Sequence, residues 1–448
     1  MSGRYKAYGE YKESGVEWLG EIPREWSALM GKRIFSSIRK TALKDDVQLA
    51  VSQKYGVLPQ SLMMLLNDSK VMLALKGIDS FRHVDQNDFV ISLRSFEGGI
   101  EYSKYSGCVS PAYTVLNNVK KISHNYYKYL LKCAPFISAL QSTTDSLRDG
   151  KSISYEQFGA ICLPLTRLSE QNQIAAFLDH ETAKIDTLID KQQQLIELLI
   201  EKRQAVINHA VTKGLDPDVQ MKDSGVEWLG EVPQTWEMWK LAHAFEVIGS
   251  GTTPSSDNDS WFEGDIPWVT TGELRETVIT HTIKKVSKLT LERFSALKIH
   301  PVGSVVIAMY GATIGRLGIL GVKSTTNQAC CVLTFSRVID NKYLYYWLGG
   351  YKDDIIRLSS GGGQPNINQE KVASLKISSP ILKEQTQIAT FLDYETAKID
   401  KLIDLQLLQI ELLKERRTAL ISAAVTGKID VRDWQVPVTQ TESDEVMA

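Results

Sequence analysis

The chain of 448 residues repeats itself at long range, and this duplication constrains its fold more than any other feature. The segment from Ser14 to Trp26, SGVEWLGEIPREW, returns from Ser224 to Trp236 as SGVEWLGEVPQTW, at an offset of 210 residues. The segment from Glu170 to Asp190 returns from Glu384 to Asp404, at an offset of 214. The blocks between these repeats have nearly equal length but barely match in sequence. Such a duplication predicts two copies of one structural plan, related by an internal pseudo-two-fold repeat.

The repeated long segments are expected to be helices. Their apolar residues recur at steps of three and four, and neither copy contains an internal Gly or Pro. Gly214 and Gly427 stand where the two periodic patterns stop, as helix terminators do. About 42 helical residues make a rod of roughly 60 Å. Two such rods in one chain would most simply pair and bury their apolar stripes, and we draw the seam of the first rod through Ile185, Leu188, Gln192, Leu195, Leu199 and Val206.

The variable blocks contain short β-rich runs separated by Gly-rich turns, and each also contains one aromatic helix-like stretch. The predicted fold class is therefore α+β, with two globular strand-rich domains separated by two long antiparallel coiled-coil helices. The predicted segments are a first signature and domain (1–166), a first spacer helix (167–216), a second signature and domain (217–380), a second spacer helix (381–430) and a polar C-terminal tail (431–448).

Composition by segment adds a hint about partners. The net charge of −2 hides two basic blocks: residues 28–166 have 17 Lys and Arg against 11 Asp and Glu, and residues 238–380 have 15 against 12. Two mildly basic domains joined by acidic rods are typical of a protein that binds a polyanion at two places, although ordinary scatter gives similar imbalances. The sequence contains no secretory signal and no apolar run long enough to cross a bilayer, and its five cysteines form no framework, so we expect a cytoplasmic protein.

Motifs for catalysis are missing from the sequence. There is no Walker A loop, no G-x-G-x-x-G after a strand, no G-x-S-x-G elbow and no Asn-Pro-Pro-aromatic motif of an adenine methyltransferase. The seven histidines are scattered, and we predict no catalytic residue and no metal site. The chain therefore reads as a binding scaffold. Two alternatives stay open: a self-contained DNA-modifying enzyme with unrecognised catalytic residues, and a coiled-coil scaffold that joins two protein-binding domains.

The layout and the signatures resemble the specificity (S) subunits of type I restriction–modification enzymes. The entry KESGVEWLGEIP, the segment VSQKYGVLPQ from Val51, the segment GTTPSSDNDSWFEGDIPWVTTGEL from Gly251 and the exit GGGQPNINQEKVASLKISSPILKEQTQIA from Gly361 are similar to segments of that family. The resemblance extends over nearly the whole chain. The first domain departs from it at its exit, where Gly150 is present but the Gly-Gln-Pro-Asn run is not.

The resemblance implies a function. Each domain would be a target-recognition domain that reads one half of a bipartite, asymmetric DNA site, and the paired helices would set the unread spacer. The implied partners are double-stranded DNA, two methyltransferase (modification) subunits and, in the full complex, restriction/translocase subunits. The chain itself would need no cofactor and would catalyse nothing, because S-adenosylmethionine, ATP and Mg would be bound by the partner subunits.

Candidate DNA contacts were chosen by residue type and loop position. Hydroxyl residues after Gly allow close approach of the backbone, Arg can contact guanine in bidentate fashion, and Asn and Gln suit adenine. The candidates in the second block are Thr252, Thr253, Ser255, Ser256, Arg275, Arg316, Asn327, Gln328, Gln364 and Asn366. The candidates in the first block are Lys54, Tyr55, Arg94, Ser95, Arg148 and Lys151. Trp18 and Trp228 lie in the duplicated signatures and are expected to pack rather than to read DNA. Arg203, Arg416 and Arg417 are exposed-face residues that could meet partner subunits.

Overall fold

The computed structural model describes residues 5–67, 80–143, 153–255, 258–358 and 366–436. The described residues of the first strand-rich part form these short strands: β1 Tyr11–Glu13, β2 Glu21–Pro23, β3 Ser27–Met30, β4 Phe35–Ser36, β5 Leu49–Ser52, β6 Gly56–Pro59, β7 Arg82–Val84, β8 Phe89–Ile91, β9 Glu101–Tyr102, β10 Gly107–Val109, β11 Thr114–Asn118 and β12 Cys162–Leu165. Its helices are α1 Gln60–Asn67, α2 Ser95–Gly98, α3 His124–Leu130, α4 Ala134–Ser142 and α5 Tyr155–Ala160. The long helix α6, Leu168–Lys213, follows.

The second strand-rich part has a similar plan, with differences between its second and sixth strands. Its strands are β13 Met221–Asp223, β14 Glu231–Pro233, β15 Glu237–Lys240, β16 Phe245–Ser250, β17 Ile266–Val269, β18 Thr277–Ile279, β19 Lys284–Val286, β20 Val305–Ala308, β21 Leu317–Leu320, β22 Thr325–Thr326, β23 Cys330–Ser336 and β24 Lys376–Ser379. Its helices are α7 Leu241–Ala244, α8 Lys288–Arg293, α9 Asn341–Gly350, α10 Lys352–Arg357 and α11 Gln369–Ser374, and the second long helix α12, Leu382–Val425, follows. The predicted aromatic helices correspond to α3 and α9.

Packing divides the chain into two compact units whose boundaries lie inside the long helices. The first unit comprises Met1–Gln192 and Leu408–Ala448, and the second comprises Gln193–Leu407. Each unit therefore contains one strand-rich domain, one half of α6 and one half of α12. We call Ser27–Leu165 the first domain and Glu237–Ser379 the second domain. The division of the chain into five segments stays a prediction, because the units cut across it.

The long helices pack antiparallel in each unit. In the first unit, the Gln173 side chain donates to the Trp434 carbonyl. Farther along α6, Asp186 pairs at 2.9 Å with Arg417, which precedes Trp434 in the chain, so the two segments run in opposite directions. In the second unit, Arg203 pairs with Asp400 at 2.8 Å. The two ion pairs are equivalent by the repeat, since at an offset of 214 residues Asp186 corresponds to Asp400 and Arg203 to Arg417. The predicted antiparallel pairing and the α+β fold class are confirmed. Arg203 and Arg417 join the two helices through these ion pairs, and contact of Arg203, Arg416 and Arg417 with partner subunits stays a prediction.

The predicted seam of α6 is wrong at two positions, and in each case the residue that packs inward is the next one in the sequence. Leu188 and Leu195 are 44% and 40% exposed, whereas Ile196 is only 5% exposed and Ile189 is partly buried against the core. The second copy agrees, because Ile410, which corresponds to Ile196, is also 5% exposed. Both leucines stand beside an isoleucine in the sequence, so a step of three or four fits either residue. The seam therefore continues from Ile185 through Ile189, and leucines are left on the outside of the helices.

The main sheets of the two domains share the order of four strands although the two sequences barely match. The main sheet of the first domain has the order β4-β11-β8-β9, and that of the second has the order β16-β23-β20-β21-β18. In each domain the first strand pairs antiparallel with the last, β3 with β12 and β15 with β24. In each signature a two-stranded hairpin precedes the domain, β1 with β2 and β13 with β14. The duplication seen in the signatures and rods therefore extends through the variable blocks.

A duplicated Glu-Gln pair at the start of each long helix fastens the domain to the helix. The Trp26 indole donates to Glu170 and the Trp236 indole donates to Glu384, both at 3.1 Å. The adjacent glutamines make the same contacts in both units: Gln171 accepts from the backbone N–H of Ser123, and Gln385 accepts from that of Asp340, which caps α9. Buried polar groups are stable only when they are bonded in this way, so the two copies conserve one joint.

The ends of the long helices follow the sequence signals. Gly214 and Gly427 adopt φ angles of +76° and +75°, a conformation that glycine tolerates better than other residues. After α12 the chain packs against the first unit: Val431 is buried, and the Trp434 ring lies 5.4 Å from that of Phe177. Val431 and Trp434 are therefore packed against the first unit, which the predicted free tail did not include, and residues 437–448 of that tail lie outside the described residues. Among the described helices, none combines the length and the hydropathy needed to cross a membrane.

Candidate nucleic-acid interface

Four loops of the second domain meet at one edge of its sheets. The backbone N–H of Gly251, after β16, donates to the Thr326 hydroxyl at 3.1 Å. The Trp268 indole of β17 donates to the Thr252 carbonyl at 3.2 Å, and the N–H of Asn327 donates to the Val269 carbonyl at 2.9 Å. The loop after β20 joins them through the bond from Met309 N–H to the Ala329 carbonyl, at 2.8 Å. We call the loops 251–255, 270–273, 309–313 and 327–329 the loop edge.

The structure brings several predicted residues together at the loop edge. The Thr253 hydroxyl donates to the Gln328 side-chain oxygen, and both residues are exposed. Asn327 is half-buried, and its side-chain oxygen accepts from Ala329 N–H at 3.1 Å. The exposed Asn366 lies at the same edge through its bridge to Tyr310. Thr252 is half-buried and Ser255 is exposed. These side chains present hydroxyl and amide groups on one surface, which is the chemistry that reads base edges and phosphates.

Only glycine fits at the start of this edge. A Cβ at Gly251 would lie 1.7 Å from the Thr326 carbonyl oxygen, so β16 and the 327–329 loop approach each other closely because residue 251 has no side chain. This explains the Gly-Thr-Thr order: the glycine permits the close approach, and the threonines that follow emerge at the surface.

The two predicted arginines lie farther along the same domain. Arg275 is exposed, and its Nε donates to the Gly272 carbonyl at 3.3 Å, which holds it beside the 270–273 loop. Glu273 fixes that loop, because its carboxylate accepts from the N–H groups of Thr270 at 2.8 Å and Ile283 at 3.4 Å. Arg316 is half-buried directly before β21. The guanidinium of Arg275 is therefore placed beside the loop edge.

Sequence reasoning missed one cation at the loop edge. Lys284 stands opposite Trp268 in the β17–β19 pair, so it lies beside the Thr252 contact. It is exposed, and its Nζ lies 4.9 Å from the centroid of the Phe262 ring. The Lys284-Lys285 pair before the buried Val286 was the available signal, because a lysine at the edge of a strand in a basic domain is a natural phosphate contact.

The candidates of the first domain are more scattered. Lys54 and Tyr55 form the turn between β5 and β6, and the Lys54 Nζ lies 4.9 Å from the Tyr55 ring centroid. Arg94 is exposed, and its carbonyl accepts from the Gln53 side chain at 3.2 Å. Ser95 is fully buried and its hydroxyl accepts from Ser92 N–H at 2.7 Å, so it stabilises its own turn and leaves the candidate set. Four further candidates lie outside the described residues: Arg148, Lys151, Ser256 and Gln364.

A buried charge network orders the loop before β5. The His83 ring contacts Asp46 at 2.8 Å and Asp85 at 3.0 Å, and Asp85 pairs with Lys40 at 2.6 Å. Burial by itself lowers the pKa of His83, but the hydrogen bonds to the two carboxylates outweigh it and raise that pKa above its ordinary value. The network ties the loop to β7, so it positions the loop rather than offering a base to a substrate. The signature tryptophans also pack as predicted: Trp18 lies 6.0 Å from Phe136, and Trp228 lies 5.4 Å from Tyr351, measured between ring centroids.

Comparison with known proteins gives consistent results. Residues 233–412 match the family model of the type I restriction modification DNA specificity domain. The chain is 26% identical to the putative type I restriction enzyme MjaX specificity subunit of Methanocaldococcus jannaschii, over 94% of this chain and 98% of that protein. It is 24% identical to the MjaVIII specificity subunit of the same organism, over 94% and 98%. The EcoR124I/EcoR124II specificity subunit of Escherichia coli is 25% identical over 40% of this chain and 43% of its own length.

Solved structures share the fold. The HsdS subunit from Thermoanaerobacter tengcongensis superposes with a TM-score of 0.57 at 16% identity, over 94% of this chain and 100% of that chain. A chain from a structural study of complex assembly and conformational transition of the type I R-M system superposes with a TM-score of 0.69 at 14% identity, over 91% and 99%. At such low identity these two likenesses concern the fold alone.

Proposed function

Since the chain belongs to the family of DNA specificity subunits of type I restriction–modification enzymes, we propose that each of its two domains reads one half of a bipartite, asymmetric DNA site. The chain recognises a DNA sequence and is not itself an enzyme, and the long helices set the length of the unread spacer between the halves. Neither of the two alternative functions, a self-contained enzyme and a protein-binding scaffold, is the activity of this family.

One observation carries this proposal: the two domains share a strand order but differ in the residues of their loops. At the loop edge the second domain has Asn327 and Gln328. When β23 is aligned with its counterpart β11, the residue of the first domain that corresponds to Asn327 is Ser110. A common frame with different surface groups is what two readers of unlike sequences need, because sequence is read by side chains that reach base edges.

The helices suit the role of a spacer. Each is continuous over more than forty residues, α6 with 46 and α12 with 44, and each contributes to both units. Because the major groove returns about every 34 Å along a duplex, two readers on one face need a fixed separation. A helix pair provides that stiffness, whereas a flexible linker would allow several spacings.

The partners in this proposal are two methyltransferase subunits, joined by restriction/translocase subunits in the full complex. Support comes from the helix leucines of the second unit, which stay exposed: Leu198 is 60% exposed, Leu405 is 49% and Leu407 is 48%. Large apolar side chains that stay exposed on a helix are candidates for contact with another protein. S-adenosylmethionine, ATP and Mg would be bound by these partners, and the complex would act in the cytoplasm.

Two substitutions at the loop edge test DNA recognition. Gln328→Ala should relax selectivity at one position of one half-site by about 1–3 kcal/mol, roughly 5-fold to 150-fold, because it removes an amide suited to a base edge. Lys284→Gln should weaken binding to all sequences and reduce the slope of log affinity against log salt by about 1, because it removes a phosphate contact. Both are measured as DNA affinity of the complex with the methyltransferase.

The matched controls are Gln234→Ala and Lys376→Gln, exposed residues of the second unit outside the loop edge. Neither should change selectivity or the salt slope. A Gln328→Ala complex with unchanged base selectivity at every position would remove Gln328 from the reading surface, and an unchanged salt slope would do the same for Lys284.

A further inference from the structure

A cleft of about 540 Å³ lies in the first unit between the first domain and helix α12. Its size is within the range of sites for small molecules. Five cationic side chains line it, together with three tyrosines and one glutamate. The cations are Lys54, Lys104, Lys128, Lys132 and Arg417, and the tyrosines are Tyr55, Tyr102 and Tyr129. The glutamate is Glu101.

The charges of the cleft are not balanced. Lys128 pairs with Asp179 at 3.1 Å and Arg417 pairs with Asp186, and both of these carboxylates belong to α6. Within the described residues, no carboxylate lies within 4.0 Å of the Nζ of Lys54 or Lys104. Three of the five cations are thus paired, Lys132 with Glu101 of the cleft and the other two with carboxylates of α6, and the ammonium groups of Lys54 and Lys104 remain without an ion pair among the described residues. A ligand of this cleft is therefore expected to carry negative charge.

Glu101 adds a second requirement. Its side chain is fully buried, and Oε1 accepts from the Lys132 Nζ at 2.6 Å. Its other oxygen, Oε2, has no hydrogen-bond partner among the described residues. Burial raises the pKa of Glu101 to about 7, with the adjacent Lys132 acting in the opposite direction. A buried acceptor without a donor costs free energy, so a ligand that draws the Glu101 side chain toward the cleft and donates a hydrogen bond to Oε2 would recover it.

The tyrosines supply planar surfaces. The Tyr129 hydroxyl donates to Asp179 at 2.6 Å and the Tyr102 hydroxyl donates to Asn87 at 2.5 Å, so both side chains are held in place. Tyr55 is half-buried beneath the Lys54 ammonium. Tyrosine rings beside lysines are the combination on which bases of unpaired nucleic acids and nucleotides stack.

The second unit shows that the fold does not require the Glu101–Lys132 pair. Val90 pairs with Glu101 and with Val115, and the corresponding Val306 pairs with Gly318 and with Val332. Glu101 therefore corresponds to Gly318, at an offset of 217 residues. At the same offset Tyr129 corresponds to Tyr346, whose hydroxyl makes the equivalent bond to Asp393, and Lys132 corresponds to Gly349. Two glycines thus replace the charged pair in a domain with the same strand order.

We propose that this cleft binds a free nucleotide, with its phosphates on Lys54 and Lys104, its base against the tyrosines and a donor group of the base or sugar on Glu101 Oε2. A duplex does not meet these requirements as well, because its bases are paired and stacked and only its phosphates reach the wall of a cleft. The proposal goes beyond DNA recognition, although Lys54 and Tyr55 are also candidate DNA contacts of the first domain, so the test compares nucleotide binding with DNA binding. It gives the specificity subunit a ligand of its own.

The test is equilibrium dialysis of the full-length chain with radiolabelled ATP, in the absence of restriction subunits. ATP is expected to bind at least tenfold more tightly than tripolyphosphate or adenosine, because each of these lacks half of the contacts. The double variant Lys54→Gln with Lys104→Gln should weaken ATP binding at least tenfold. The control Lys120→Gln with Lys121→Gln, which removes two exposed lysines of the same domain, should leave it unchanged.

A second variant keeps the test independent of the exposed lysines. Glu101→Gly with Lys132→Gly reproduces the second domain and should abolish the preference for ATP over tripolyphosphate, while DNA selectivity stays unchanged. Three results would each overturn the proposal: no ATP binding at millimolar concentration, tripolyphosphate binding as tight as that of ATP, or displacement of ATP by duplex DNA with an equal loss of DNA affinity in the lysine variant. DNA recognition is measured separately through Gln328→Ala, so its outcome does not depend on this site.

Discussion

A chain that carries the second domain in both positions is expected to direct methylation to an inverted repeat of the second half-site. The exchange replaces residues 27–165 with residues 237–379. Its junctions lie at the ends of the paired strands β3 and β12, whose counterparts β15 and β24 close the second domain in the same way. The joint to the helix is retained, because Glu170 and Gln171 correspond to Glu384 and Gln385. The expected effect is complete loss of the original motif.

The measurement is methylation mapping of DNA from cells that express the exchanged chain with the proposed methyltransferase partner. The reciprocal exchange, with the first domain in both positions, is the matched control and should give an inverted repeat of the other half-site. Co-purification of the partner shows that each variant folds and assembles. A variant that assembles but still methylates the original asymmetric motif would contradict the assignment of one half-site to each domain.

The double substitution Leu198→Asp with Leu405→Asp is expected to weaken methyltransferase association at least hundredfold. Both leucines are exposed in the second unit, so the change should leave folding intact. Full burial of a leucine at an interface contributes about 1.5–3 kcal/mol, and a carboxylate buried in its place adds a desolvation cost. Two such losses exceed the roughly 2.7 kcal/mol that corresponds to a hundredfold change.

Association is measured by sedimentation or co-purification with the partner subunit. Leu289→Asp is the matched control, because Leu289 is 59% exposed on α8 of the same unit but lies outside the long helices. It should leave association unchanged. Equal loss in the control, or full association of the double variant, would show that the helix leucines are not the docking surface.

Much of this fold could be predicted from the repeat. The duplicated segments located both long helices, and Gly214 and Gly427 located their ends, because a missing side chain and a positive φ angle leave a clear local signal. The seam could not be placed with the same accuracy. Adjacent leucine and isoleucine, as at 188–189 and 195–196, fit the period equally well, and only packing against the second helix decides between them.

The candidate site was predicted less well, for a physical reason. Residue type identified Thr253, Asn327 and Gln328, which the fold brings together at the loop edge. Residue type also suggested Ser95, whose burial depends on the turn that encloses it. The bonds from Trp26 to Glu170 and from Trp236 to Glu384 join residues about 145 positions apart. Each tryptophan and its glutamate partner occur in both copies of the repeat. This shared duplication was the one signal that could have revealed the contact between domain and helix.

The most direct test of the central claim compares methylation maps of cells that carry this chain with the methyltransferase subunit proposed as its partner and of matched cells that lack only this chain. We expect one additional methylated motif, made of two short defined halves that flank a spacer of fixed length and free sequence. Identical maps in the two strains, or a motif that is continuous and has no unread spacer, would contradict recognition by two domains held apart by paired helices.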